Sequence, residues 1–450
     1  MERIVFVDTS FSFEQVIETR NFPIQHHRFV SILSQIPLLT AVALGCSLKS
    51  LMLIYSVTFI LLYSIYYFLI DKIIRNQRLL MLPIFILLLM CAHSFYWIVS
   101  EFQQGLMLMT VFLAAWDKKS NELTASNTSF QIWEKSTFYL LFALVILFAH
   151  PLMVFILLYS VLFLFLDSQH KTNPYLIAMS LLFLGLCYVK HKYHVTEYDS
   201  VARANAFNSI QEHLQKGDFW QLKSTQQFLA QLKGDYLLFP IVFLANCIFY
   251  IWKKQPLKIV LMLGAVIGYI LLVTLSFPQG ADKFYFDNQY LTLCFFVSLP
   301  FVMDIIHTWA NQKILITIIC FIVLGRLGYV INEQKVFRKR LDYIESLLTK
   351  ADKLGTSDRY LVSDFDPHLM KELLQPWTLG YETVILTALH QTHKTRQIMT
   401  VPEIEKYSYL LKEKSNLAFR WSQPNPQKIE RYFLTIDTSK TYQILPDSIR

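Results

Sequence analysis

Charge is what this chain has least of. Asp, Glu, Lys and Arg together make up 16% of its 450 residues, where a water-soluble chain carries about 25%. The deficit is uneven and collects in uncharged runs of bilayer-spanning length. That excludes a soluble globular enzyme, a fibrous protein and a disordered chain. Glycine is scarce as well, 12 in all, and neither a GxGxxG nor a Walker-type string occurs, which argues against a phosphate-cradling glycine loop. The six cysteines (Cys46, Cys91, Cys187, Cys247, Cys294, Cys320) lie in or beside apolar runs. None is spaced as a metal knuckle, and the hydrophilic segments hold none that could pair as a disulfide. The formal charge of +8 reads as loop Lys and Arg facing the cytoplasm and anionic headgroups. No basic patch with interleaved aromatics stands out, so nucleic acid is not an expected partner.

What is present is apolar sequence: 54% of the chain, with a mean hydropathy of +0.38. The expected fold is mainly α, a polytopic transmembrane helical bundle of about 10–11 spans followed by a small C-terminal α/β soluble domain. Uncharged or nearly uncharged runs fall at 51–70, 79–100, 102–116, 136–166, 172–189, 236–252, 259–276, 288–309 and 314–331. As one helix the run 136–166 would be about 46 Å long, against a hydrocarbon core of about 30 Å. His150-Pro151 stands at its middle, and proline removes a helical hydrogen bond, so the run is expected to break there into two spans or a re-entrant pair. Residues 1–50 read as an outer loop and interfacial helix, 51–331 as the membrane domain with a hydrophilic loop at 190–234, and 332–450 as the soluble domain. In that tail a charged helix, EQKVFRKRLDYIESLLTKADKL, precedes strand-like RYLVS, RQIMTV, LAFRW and RYFLTID.

The loops 71–78, 117–135 and 253–258, each with three Lys or Arg, are placed in the cytoplasm by the positive-inside rule if the run 136–166 crosses twice. A single crossing would instead put the loop 190–234, with six Lys or Arg, and Lys335, Arg338, Lys339 and Arg340 of the tail inside. The length of the run and its His-Pro break favour two crossings, with the loop 190–234 and the tail outside. The sequon Asn127-Thr128-Ser129 then lies inside and carries no glycosylation meaning. Residues 29–46 are apolar but contain Ser31, Ser34, Gln35 and Pro37, and fit either a marginal span or an interfacial helix. If they cross, residues 1–27 are cytoplasmic. If they lie along the surface, that stretch is outside and a first span is expected upstream of Met1.

One layout stands out. An Asp-bearing stretch, VFVDTSFSFEQVIETRNFPIQHHRF, precedes a semi-polar helix and many spans, and a second acidic element, WIVSEFQQG, sits at the outer end of a later one. With the His-Pro break and the hydrophilic tail, the order resembles the GT-C superfamily of integral-membrane glycosyltransferases, which use polyprenyl-phosphate sugars. It is closest to bacterial members of the mannosyltransferase and aminoarabinose-transferase type. The likeness covers most of residues 1–331, and the first span that normally anchors the Asp loop is missing from it.

The resemblance implies roles. A carboxylate of the first outer loop serves as base, and Asp8 is the matching position; a sugar hydroxyl needs such a proton acceptor to attack. Its plain alternative is a solvated residue in a loose terminus. Glu101 is the second candidate catalytic group, since a carboxylate at the bilayer boundary must be solvated or paired; otherwise it merely ends a helix. Gln104 beside it, with Asp282 and Asp287 of GADKFYFDNQY, are candidate substrate contacts. His26, His27 and Arg28 form a cluster suited to a lipid phosphate or to simple interfacial anchoring. Arg326 interrupts the last span and offers a planar fork for phosphate oxygens, or snorkels. Lys283 would neutralise a leaving phosphate, or is a loop residue. His150 reads as structural, satisfying a backbone group freed by Pro151, and Asp304 and His307 as interface residues. No cofactor is certain. Asp8 and Glu101 suffice to share an acceptor, a proton or a divalent cation, but two carboxylates do not define a metal site.

The expected activity is transfer of a sugar from a lipid-linked phosphate donor to a lipid, glycan or protein acceptor, among membrane lipids, at the extracytoplasmic face of a bacterial inner membrane. A non-catalytic transporter or lipid-glycan flippase is the rival. Transporters place ionisable groups at the midplane and show internal repeats; no repeat is visible, and most charges lie at run ends. A structural membrane subunit whose tail binds a partner is the third reading.

Overall fold

A computed structural model describes residues 2–90, 92–122, 129–167, 174–308, 312–355, 357–390, 395–413 and 440–446. The described residues are mainly helical, with one small sheet among them. Helices α1 (Asp8–Thr19), α2 (Ser31–Ala43) and α3 (Leu48–Phe68) open it. They are followed by α4 (Leu82–Met90), α5 (Glu101–Glu122), α6 (Ser129–Leu147), α7 (Met153–Leu166) and α8 (Pro174–Tyr193). Next come α9 (Glu197–Lys216), α10 (Lys223–Leu232), α11 (Leu238–Trp252), α12 (Pro256–Ser276), α13 (Lys283–Pro300) and α14 (Gln312–Leu354). The tail holds β1 (Arg359–Ser363), α15 (Pro367–Leu373), α16 (Leu379–His390), β2 (Gln397–Val401) and β3 (Gln443–Ile444).

About ten spans were expected; among the described residues four helices are long and apolar enough to cross a membrane, at 48–74, 256–276, 283–306 and 315–354. Shorter apolar helices occupy Ser31–Ala43, Met153–Leu166 and Leu238–Trp252. The break at His150-Pro151 is present, separating α6 from α7, and His150 Nδ1 accepts the Leu152 N–H at 3.2 Å. Helix α5 crosses this break closely. A Cβ on Gly105 would lie 2.5 Å from the Ala149 Cβ, so only glycine fits there.

The run 79–100 departs from expectation. Instead of a spanning helix it forms the nine-residue α4, and the described chain beyond it makes one short 3-10 turn, His93–Phe95, and no α-helix before Glu101. The cause is Asp287 of α13, which is fully buried. Its Oδ2 accepts the N–H groups of Ala92 and His93 at 3.1 and 2.7 Å and that of Ser94 at 3.3 Å. Its Oδ1 accepts the Tyr236 hydroxyl at 2.5 Å. Backbone donors away from water need such a partner, and the carboxylate makes this break from α-helical bonding tolerable inside the bundle.

Helix α13 is the axis of that bundle. Every residue from Phe286 to Pro300 is buried, the signature of a helix packed on all sides, and its neighbours are α4, α7, α11 and α12. Pro300 cannot continue the α ladder, and the helix goes on as a π-helical turn through Ile306. At that end Arg78 pairs with Asp117, Asp167 and Asp304 at 3.2, 2.7 and 3.6 Å, and Lys258 pairs with Asp304 at 2.6 Å. Asp304, expected to be an interface residue, is thus a brace between helix ends.

The tail also differs in detail. The last apolar run and the charged helix after it form one uninterrupted α14 of 43 residues, about 65 Å long at 1.5 Å per residue. No proline occurs within it, and Gly355 at φ 63° ends it. RYLVS and RQIMTV supply β1 and β2, paired in parallel with Arg359 opposite Gln397, and β3 pairs with the other edge of β1. LAFRW, RYFLTID and Asn127-Thr128 lie outside the described residues. Residues 1–50 do not stand apart as a loop. Phe13, Val16 and Ile17 of α1 share one core with Leu341 and Ile344 of α14, Val362 of β1 and Ile385 of α16.

Replacing Asp287 by Ala strands several buried N–H donors at about 1–3 kcal/mol each. The expected loss is about 3 kcal/mol or more, read by thermal melting in detergent, with Asp287→Asn milder because one acceptor remains. Melting points within a degree of the parent for both variants would contradict this account of the turn.

Candidate functional site

A cavity of about 1120 Å³ lies where α1, the 25–28 turn, the chain around Glu101, the His150 break, α8, α9, α12, α13 and the tail meet. Ligand pockets of about 300–1,000 Å³ are typical, so the space suits a large ligand. Its lining is of two kinds. Val154, Phe155, Leu272, Val273 and Phe277 are apolar, whereas Asp8, Glu101, Asp199, Arg28, Lys190 and Arg203 are ionic.

Arg28 is the hub of the ionic lining. Its Nη1 lies 3.6 Å from Glu101 Oε2 and its Nη2 3.1 Å from Asp199 Oδ1. Arg28 Nε is buried with no hydrogen-bond partner among the described residues. The chain reaches this position through a tight turn in which His26 and His27 both have positive φ, 50° and 58°. The turn sends His26 to the cavity, stacked on Tyr198 with ring centroids 4.2 Å apart, and leaves His27 exposed. Burial and the adjacent Arg28 charge hold His26 below the ordinary imidazole range, so at neutral pH it offers a hydrogen bond rather than a charge.

Asp8 enters the cavity from the first turn of α1. Trp97 Nε1 donates to its Oδ2 at 3.1 Å. Burial and the nearby Glu101 charge push its pKa up to about 7, the Trp97 hydrogen bond and Arg28 opposing them. A carboxyl poised near neutrality is matched to general-base work. Glu101 opens α5, placed there by the turn that Asp287 holds.

Four of the sequence candidates, Asp8, Glu101, His26 and Arg28, therefore share one cavity. Asp282 stands one contact away, accepting the amide of cavity-lining Gln375 at 3.0 Å. Lys283 and Arg326 do not line it. They form a second network in which Lys283 pairs with Asp235, with the Tyr329 hydroxyl at 3.0 Å and with Glu333 at 3.4 Å. Arg326 Nη1 there donates to the Asp235 carbonyl at 2.8 Å. Asp287 and Gln104 are buried in the bundle, off the cavity, and neither amide atom of Gln104 has a partner among the described residues. His150 lines the cavity in addition to its backbone role.

Asp199, Lys190 and Arg203 were missed because the loop 190–234 looked merely hydrophilic. One signal was present: Thr196-Glu197-Tyr198-Asp199 is a capping-box pattern, and Thr196 Oγ1 indeed accepts the Asp199 N–H at 3.2 Å. Nothing in the sequence announces Trp97, Gln375 or Trp377. Among the described residues no group of three or more His, Cys, Asp and Glu is placed to hold a metal ion. No family model, curated protein or solved structure matches this chain.

Removing the Trp97 hydrogen bond is expected to raise the Asp8 midpoint above about 7. Carbodiimide labelling of Asp8 across pH, compared between the parent and Trp97→Phe, checks it; a midpoint that falls instead would contradict the assignment.

Proposed function

We propose that this chain is a polytopic glycosyltransferase of the GT-C kind in a bacterial cytoplasmic membrane. It moves a sugar from a lipid-linked phosphate donor to a lipid, glycan or protein acceptor at the extracytoplasmic face. The observation that carries the reading is the meeting of Asp8 and Arg28, from the N-terminal stretch, with Glu101 in one cavity that also has apolar lining. The four helices of spanning length and hydropathy support the membrane setting.

In the proposed reaction Asp8 takes the proton of the acceptor hydroxyl. The freed oxygen pair forms a bond to the anomeric carbon, the bond from that carbon to the phosphate oxygen breaks, and the lipid phosphate leaves with the electrons. Glu101 holds Arg28 and orients the acceptor. Arg28, Lys190 and Arg203 offset the phosphate charge, a role the resemblance assigned to Lys283 and Arg326, which stand outside the cavity. Fixed cations beside a leaving phosphate lower the barrier most where water is excluded. The α7–α12 wall accommodates the first units of the lipid chain.

The test is polyprenyl-phosphate-sugar turnover in membranes carrying the chain. Loss of a general base costs about 10²–10⁴-fold, and a drop of that size is expected for Asp8→Asn, with a marked loss for Glu101→Gln. Because the base must be ionised and its pKa is raised to about 7, parent turnover is expected to climb as pH rises through that value and fall below it. Full activity in both variants removes the two carboxylates from catalysis.

A further inference from the structure

Asp8 reaches the cavity from a backbone conformation that its predecessor does not adopt freely. Val7 has φ 43° and ψ −128°, and a β-branched residue at positive φ persists only where its surroundings impose it. The C-terminal domain supplies that constraint. Glu382 Oε1 accepts the Val7 N–H at 2.9 Å and the Thr378 hydroxyl at 2.9 Å. Arg340 Nη2 donates to both Glu382 oxygens, at 2.8 and 2.6 Å. Arg340 Nη1 donates to the Val5 carbonyl at 3.0 Å and Nε to the Leu373 carbonyl at 2.8 Å. Its guanidinium also stands 5.1 Å from the centroid of the Phe6 ring. Residues 5, 6 and 7 are thus gripped in succession by one ion pair whose side chains are 2% and 0% exposed. Neither member lines the cavity.

We infer that Arg340 and Glu382 are positioning residues for Asp8: their ion pair holds Val7 in its positive-φ conformation and so sets the Asp8 carboxyl in the cavity wall. The inference takes from the glycosyltransferase reading only the reaction that Asp8 would serve; the grip itself does not depend on it. A pair that merely anchored the tail would be replaceable by apolar side chains of similar volume. A positioning pair would not be, because an apolar side chain cannot accept the Val7 N–H.

Two variants of the full chain in detergent separate these roles. Arg340→Met/Glu382→Met removes both charges together, leaving neither buried alone. Val7→Pro leaves the ion pair intact but forbids positive φ and deletes the N–H. Carbodiimide labelling of Asp8 across pH reads its placement, and polyprenyl-phosphate-sugar turnover reads its use. In the parent, half-labelling is expected near pH 7. In both variants it is expected to fall by more than about one pH unit toward the ordinary aspartate value of about 3.9, with turnover at least about tenfold lower. Adding Val7→Gly to the double variant is expected to recover both readouts in part, since glycine takes positive φ without a Cβ clash while its N–H still lacks the Glu382 acceptor. An unmoved midpoint in the Val7→Pro chain overturns the inference, and so does an unmoved midpoint in a folded double variant. A shifted midpoint with parental turnover upholds the positioning role and removes Asp8 from the reaction.

Discussion

A backbone donor cut off from water must find an acceptor, and in this chain that requirement is met at one decisive point by a carboxylate. Asp287, inside the most deeply buried helix, takes three consecutive N–H groups from the stretch after α4. An apolar run that would otherwise continue as a helix is stopped there. Everything downstream depends on the stop: Trp97 turns toward Asp8, and α5 begins at Glu101 on the cavity wall. A residue that resembles a substrate contact in sequence is thereby the support on which the candidate site is built.

The same requirement ties the chain's two ends together. Val5 and Val7 present backbone groups to the interior, and Arg340 and Glu382 satisfy them from the far end of the sequence. Isolated buried charges are costly, and paired ones recover that cost only with full hydrogen bonding; here every guanidinium nitrogen of Arg340 has a partner. The long α14 carries Arg340 to this point without a break, so the apolar bundle and the α/β tail are joined by one rigid element. Helix α1 belongs physically with the tail, although the membrane-like sequence lies between them.

Much of the architecture was legible because it rests on local chemistry. The His150-Pro151 break follows from the proline ring alone, and strands β1 and β2 from their β-branched and aromatic residues. The charged helix after residue 331 was legible as a helix. Its fusion to the preceding apolar run was not, because a change in polarity resembles a boundary where no backbone signal exists. The candidate site was legible in part. Asp8 was singled out by its place in the layout that the resemblance rests on, and Glu101, His26 and Arg28 as charged or titratable groups beside apolar runs, and the four converge. Lys283 and Arg326 were singled out for the same reason and converge elsewhere, with Asp235. Local polarity marks a residue as needing partners without saying which partners it will meet.

By itself, then, the sequence determined where the apolar helices run, where proline and glycine interrupt or end them, and which charged groups have to be paired or hydrated. Those properties depend on neighbours a few residues away. Only the tertiary structure decided that Asp287 would halt a helix, that α8 and α9 would bring Lys190, Asp199 and Arg203 to the cavity that Arg28 lines, and that the tail would hold the conformation of Val7. Each of these is an encounter between groups far apart in the chain, and burial gives it its energy: a polar group removed from water is held by whichever partner the packing brings within hydrogen-bond reach.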